Sequence, residues 1–357
     1  MSKKVILLGP VPPPYGGVAI FTSRLFELVK SRGVHLWTYA GSQLKAGSTS
    51  RFNQRRLGFI PLLLRGGYRA RIIDSSHFLV EHPNPVLLTI WLLLRLLLRF
   101  QWVKVLHDGS LPARSKSFGP VRKLLCKLSV SSVDEFIAVN DNIGSWLQVE
   151  MGVTQKVSVI NALLPLHQDH SDVTFNDREQ LTKHKRLVCS TGVFVPSYGF
   201  KHVADCVERI RRDSGEDIGL VLIDGSFASD KSYRAEVLRH RDWIIVLENV
   251  PHEQVLEIFR RSDLFIRGFC FEGYGLSRIE AIWSGTPVVA AQGEERRGML
   301  LYDFGDEEGL LRQARRALFE PQEGELRKWA AQFQREAEVN LGRWLKVLRQ
   351  DPAQIVS

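Results

Sequence analysis

Short apolar runs recur along this chain, each followed by a turn rich in Gly, Pro or polar residues and then by an amphipathic stretch. Residues 5–8, 35–40, 102–106, 136–139 and 157–160 read as buried strands in the first half, with a further strand end at 78–83. Residues 187–191, 220–224, 243–247, 264–267 and 288–291 repeat the pattern in the second half. Helices are expected between them at about 18–32, 86–100, 255–260 and 276–283, with a long amphipathic tail at 326–348. Strands alternating with helices predict an α/β protein built on parallel sheets.

The most informative stretch is 271–291, FEGYGLSRIEAIWSGTPVVAA. A loop carrying Gly273 and Gly275 leads into a helix, which Ser284-Gly285-Thr286-Pro287 stops before a short strand. A helix N-terminus offers unpaired N–H groups and partial positive charge, so it suits a phosphate behind a Gly-containing loop. Glu272 and Glu280 bracket this end. Neither can bind a phosphate, but both can accept hydrogen bonds from hydroxyls. Amides for phosphates beside acceptors for hydroxyls match the needs of a nucleotide-sugar.

Glu272 and Glu280, with Gly273, Gly275, Ala281, Gly285, Pro287 and Val288, resemble the E-x7-E signature of retaining GT-B glycosyltransferases of family four. The resemblance implies two Rossmann-like, doubly wound domains facing across a cleft, with a C-terminal helix crossing back to the first. It implies an acceptor-binding domain at 1–165, a linker at 166–184, a nucleotide-sugar domain at 185–335 and the returning helix at 336–357. Gly275, Leu276 and Ser277 would present amides to the donor pyrophosphate, Glu280 would take the ribose hydroxyls, and Glu272 would hold the transferred sugar. Gly16 and Gly17, after the first strand, match the family's paired glycines near the donor phosphates. His107, after the strand at 102–106, matches its donor-contacting histidine, so Glu272 and His107 are the catalytic candidates. One departure stands out. Where the family has Arg and Lys for the pyrophosphate, this chain has Val193 and Tyr198, and Lys201, Arg267, Arg278 and Arg297 are the candidate replacements.

The chain has 357 residues, 44% hydrophobic and 24% charged, which fits a globular protein of two domains. Four cysteines without CxxC or Cys/His spacing fit reduced thiols in a cytoplasmic compartment, with neither a disulfide frame nor a zinc site. No Asp-x-Asp motif appears, no metal or cofactor is expected, and the residues do not distinguish UDP from GDP. The run 86–100 is too short to span a bilayer and reads as a buried or interfacial helix. Residues 1–165 carry 21 Lys and Arg against 8 acidic residues, a surplus of 13, whereas the remainder is net negative. Arg51, Arg55, Arg56, Arg65, Arg69 and Arg71 crowd around the apolar run 59–64, a pattern suited to an anionic membrane surface or to a solvated basic face. Few stacking aromatics accompany them, which argues against nucleic acid.

The expected activity is transfer of a sugar, with retention, from a nucleotide-diphosphate sugar to a saccharide or lipid-linked saccharide. The setting would be polysaccharide or glycolipid assembly, with the protein cytoplasmic and peripheral on the inner face of the cell membrane. The alternatives are a catalytically degenerate GT-B scaffold, which Val193 and Tyr198 favour, and a nucleotide-sugar epimerase.

Overall fold

The computed structural model describes residues 4–39, 49–51, 57–166, 178–225, 229–269, 272–293, 295–320 and 323–349. Most of the expected polar loop at 41–58 and of the expected linker at 166–184 lies outside these residues, as do Arg55 and Arg56. The chain forms two compact units, Met1–Leu164 with Glu338–Ser357, and Pro165–Ala337.

The first unit runs β1 (Val5–Leu8), α1 (Gly17–Val29), β2 (Val34–Thr38), β3 (Thr49–Arg51), α2 (Phe59–Gly66), β4 (Arg71–Asp74), α3 (Pro85–Leu98), β5 (Gln101–Leu106), α4 (Leu111–Lys116), α5 (Pro120–Ser131), β6 (Glu135–Ala138), α6 (Asp141–Ser145) and β7 (Lys156–Val159). Its sheet has the order β3-β2-β1-β4-β5-β6-β7, with every pairing parallel. Parallel strands carry helices on both faces, so central strands such as β1 and β4 are buried along their whole length. Local chemistry sets the boundaries. Asn84 caps α3 by accepting from Leu87 N at 3.1 Å, Pro85 opens it, and Arg99 closes it in the left-handed region. Asn140 caps α6 in the same way, accepting from Ile143 N at 2.8 Å.

Two expectations are corrected here. The strand between β1 and β5 is Arg71–Asp74, not an element ending at 78–83, which is a turn with one isolated bridge from Phe78 to His82. Phe78 and Val80 are buried because the turn folds inward, with Phe78 meeting Phe59 and Trp91. That imitates the apolar signal of a strand, whereas β4 offers only two isoleucines between charged ends. Arg71, read as part of a basic surface, is instead buried. Its Nη2 donates to Glu135 Oε2 at 2.7 Å and its Nε to Val347 O at 2.9 Å.

The second unit runs α7 (Arg178–Leu181), β8 (Arg186–Gly192), α8 (Phe200–Ser214), β9 (Ile218–Asp224), α9 (Lys231–Leu238), β10 (Ile244–Glu248), α10 (His252–Arg261), β11 (Leu264–Arg267), α11 (Leu276–Trp283), β12 (Val288–Ala291), β13 (Leu300–Tyr302), α12 (Glu307–Phe319) and most of α13 (Glu323–Val347). Its sheet is also all parallel, ordered β10-β9-β8-β11-β12-β13. The helix and strand of the stretch 271–291 lie where expected, at Leu276–Trp283 and Val288–Ala291. From Glu338 onward α13 belongs to the first unit. There Trp344 is fully buried, its ring 5.0 Å from Phe21 and its Nε1 donating to Asn161 O at 3.2 Å.

Arg71 is therefore a structural residue. Arg71→Met should lower the unfolding free energy by about 3 kcal/mol, because Glu135 loses its buried partner. Arg71→Met/Glu135→Leu should recover part of that loss. Urea denaturation of the three proteins measures both.

Candidate functional site

In open parallel sheets, ligands gather beyond the carboxyl ends of the strands where the strand order reverses. In the second unit that point lies between β8 and β11. Arg267 ends β11 there, and three groups fix its guanidinium. Its Nε donates to Glu272 Oε1, and its Nη1 donates to Thr191 O and lies 3.2 Å from Thr191 Oγ1. Tyr198 and Phe269 stack with ring centroids 4.2 Å apart, and the Arg267 guanidinium lies 5.3 Å from the first ring centre and 5.4 Å from the second. Gly199 makes this corner tight. A Cβ there would meet backbone atoms of Gly268 at 3.0–3.3 Å, and its φ is +70°.

Glu272 has a second cation behind it. Arg278 Nη2 lies 3.9 Å from Glu272 Oε1, and Nη1 lies 3.4 Å from both Ala291 O and Glu295 O. Burial alone would raise the Glu272 carboxyl, but Arg267 and Arg278 more than offset it and hold it below the usual carboxylate range. Burial lowers Arg278, whereas Glu272 raises Arg267 against its own burial. Two guanidiniums thus face one carboxylate at the strand ends.

The N-terminus of α11 adjoins this cluster. Gly275 holds the N-cap at φ 78° and ψ 47°, with no side chain capping the helix and no acid in its first turn. A Cβ on Gly275 would lie 3.0 Å from Arg278 Nε, an atom without a hydrogen-bond partner among the described residues. Leu276 and Ser277 begin the helix, so their amides lie at its positive end. Glu280 sits one turn further along, buried, with Oε1 3.0 Å from Nε2 of His252, the first residue of α10. The two glutamates thus have separate partners, Glu272 the two arginines and Glu280 the histidine.

The four candidate replacement cations part company here. Arg267 and Arg278 converge on Glu272. Lys201 Nζ is engaged by Asp205 at 2.8 Å and Glu236 at 4.0 Å, which raise it. Arg297 is held by Glu295 and, at 2.9 Å, by Glu336. Val193 is buried core, and Tyr198 fills its place with the aromatic stack beside Arg267.

In the first unit the order reverses between β1 and β4. Gly16 is the extended N-cap of α1 and Gly17 its first residue; a Cβ on Gly17 would meet nothing within 4 Å. Beneath the strand ends lies a fully buried ion pair, Lys104 Nζ to Asp74 Oδ2 at 3.3 Å, with Trp102 Nε1 donating to the same oxygen at 3.0 Å. Above it, His77 Nδ1 contacts buried Glu81. Burial would raise Glu81, but His77, Lys104 and His107 together pull it to about 2, while Glu81 raises His77. His107 follows β5 with its ring 4.9 Å from Phe21, and burial pulls it to about 3. His107 Nε2 and Glu81 Oε1 are shielded polar atoms without hydrogen-bond partners among the described residues. The sequence reading missed His77 and Glu81. Their four-residue spacing after a strand was the available signal, obscured because β4 itself was placed elsewhere. Among the described residues, no three His, Cys, Asp or Glu side chains group as a metal-binding set.

Residues 173–300 match the family model described as Glycosyl transferases group 1. A comparison with curated proteins by sequence gives no match. Solved structures with the same fold include Anabaena HepE in complex with UDP and glucose, at 14% identity and TM-score 0.72, covering 97% of this chain and 99% of that one. Sucrose-phosphate synthase from Thermosynechococcus elongatus aligns at 16% identity and TM-score 0.68, covering 97% of each chain. A UDP-forming α,α-trehalose-phosphate synthase from Burkholderia xenovorans aligns at 15% identity and TM-score 0.68, covering 98% of this chain and 99% of that one. Identities this low establish the fold alone: two Rossmann-like domains on parallel sheets, as in GT-B glycosyltransferases.

Two measurements probe the local physics. Gly275→Ala should cost about 1–2 kcal/mol in urea denaturation, because an L-residue resists the left-handed region. His107 stays neutral in the folded chain down to about pH 3, against an ordinary value of 6.5. Below that ordinary value the unfolded chain binds a proton that the folded chain refuses, so stability falls as pH falls, by up to about 1.4 kcal/mol per pH unit. His107→Gln should show a shallower loss across the same acid range.

Proposed function

We propose that this protein is a retaining glycosyltransferase that moves a sugar from a nucleotide-diphosphate sugar to a saccharide or lipid-linked saccharide, without a metal. The observation that carries the reading is the arrangement of Arg267 and Arg278 around Glu272 beside the uncapped start of α11, within the stretch matched by the glycosyl transferases group 1 model. Arg267 and Arg278 stand in for the absent Arg and Lys of the resembled family. They would stabilise the charge that grows on the leaving diphosphate, while the amides of Leu276 and Ser277 donate to its oxygens. Glu280 would receive the ribose hydroxyls and Glu272 those of the sugar, with Gly16, Gly17 and His107 the matching positions in the first unit. In the front-face path proposed for the resembled family, the departing phosphate oxygen takes the acceptor's proton. The protein's part is positioning and charge stabilisation. Because HepE is solved with UDP and with UDP-glucose, uracil is the first base to test.

A second reading, a non-catalytic GT-B scaffold, is favoured by the ties that already hold Glu272 to two arginines. Peripheral association with an anionic membrane surface, in the cytoplasm, completes the proposal; the surplus of cations in residues 1–165 supports it.

UDP, GDP and UDP-glucose should be compared for protection against thermal unfolding. Transfer predicts a rise in Tm with one nucleotide, a scaffold predicts none, and an epimerase would alter the nucleotide-sugar without an acceptor. Glu272→Ala should abolish transfer with the fold kept, and Arg267→Met should lower kcat/KM by about 10²–10³. Wild-type turnover in either variant would refute its role.

A further inference from the structure

We propose that the outer face of α3 and α5 docks on an anionic phospholipid bilayer. The partner rests on the membrane association proposed above, but the surface is different from the basic cluster that first suggested it. On α3, Val86, Leu93, Leu96 and Leu97 point outward, while Leu88, Trp91 and Leu94 pack down on the sheet. On α5, Val121, Leu124 and Leu128 point outward, with Cys126, Ser129 and Val130 beneath. These seven aliphatic side chains are 48–76% exposed. Their spacings place them on a single stripe of each helix.

The two helices flank β5, α3 before it and α5 after it, and right-handed crossovers set them side by side on one face of the sheet. Arg95 of α3 ties them, donating to Ser132 O at the end of α5 and pairing with Asp134. Seven exposed aliphatic side chains grouped on two neighbouring helices mark an interaction site, unlike single scattered leucines.

Its charge selects the partner. Arg99, Arg122, Lys123 and Lys127 are exposed along the stripes, and neither helix contains an Asp or Glu. Protein interfaces favour aromatic residues and exclude lysine from their centres. Here the exposed apolar residues are all Leu and Val, with lysines between them. Aliphatic side chains entering the acyl boundary, with cations at the headgroups, are the pattern of an interfacial helix. No helix among the described residues is long and apolar enough to cross a membrane, so the chain would lie on the surface through these two helices.

The full chain is sedimented with vesicles of phosphatidylcholine alone and of phosphatidylcholine with phosphatidylglycerol in equal parts. Binding is expected to the mixed vesicles and to fall with salt. Leu96→Glu/Leu124→Glu should reduce it at least about tenfold, with the urea unfolding curve kept. Arg65→Glu/Arg69→Glu, on and after α2, should leave most of the binding. Failure of the wild type to bind would overturn both this surface and the membrane reading. Binding kept by the leucine variant but lost in the arginine variant would overturn this surface alone. A wild-type dimer in light scattering that the leucine variant converts to monomer, with vesicle binding unchanged, would make the face a subunit interface instead.

Discussion

Parallel pairing is the constraint on which the rest of this molecule depends. Every strand in both sheets runs the same way as its neighbours, so each connection must travel the length of the sheet and return, and most of the described connections do so through a helix. Two consequences follow. Both faces of each sheet are covered, so the central strands are apolar along their whole length. All carboxyl ends in a sheet fall on one edge, so the loops that carry Gly16, His77 and His107 gather in one unit, and those that carry Tyr198, Arg267 and Glu272 gather in the other. Residues far apart in the sequence meet at these edges because the strands do, without any special local signal.

At the edge of the second sheet, electrostatics settles which side chains persist. A carboxylate as enclosed as Glu272 is costly unless charge is returned to it. Arg267 and Arg278 return it. The cations that the resembled family places after β8 are absent, and the chain supplies guanidiniums from the end of β11 and from inside α11. Val193 and Tyr198 then become packing residues, and the Tyr198–Phe269 stack fixes the face over which Arg267 lies. Both guanidiniums lie against Glu272.

The first unit divides its charge differently. Asp74 and Lys104 form a closed pair under the strand ends, and Arg71 pairs with Glu135, which also takes Lys156 at 2.8 Å, at the opposite ends of the strands. These pairs are neutral, so the surplus of 13 cations over acids in residues 1–165 lies elsewhere. The exposed cations on α3 and α5 lie among exposed leucines and valines.

Periodicity and turn chemistry were enough to determine the α/β class, most strand and helix positions, and the helix at 276–283 with its Gly275 start. These rest on neighbours a few residues apart. Tertiary structure alone decided that Arg71 is buried, because its partners Glu135 and Val347 lie 64 and 276 residues away. It also decided that Arg267 and Arg278, rather than Lys201 or Arg297, converge on Glu272. All four read alike in the sequence, since a cation declares its charge there but not its partner. Pairing in a low-dielectric interior depends on distances that only the folded sheets establish.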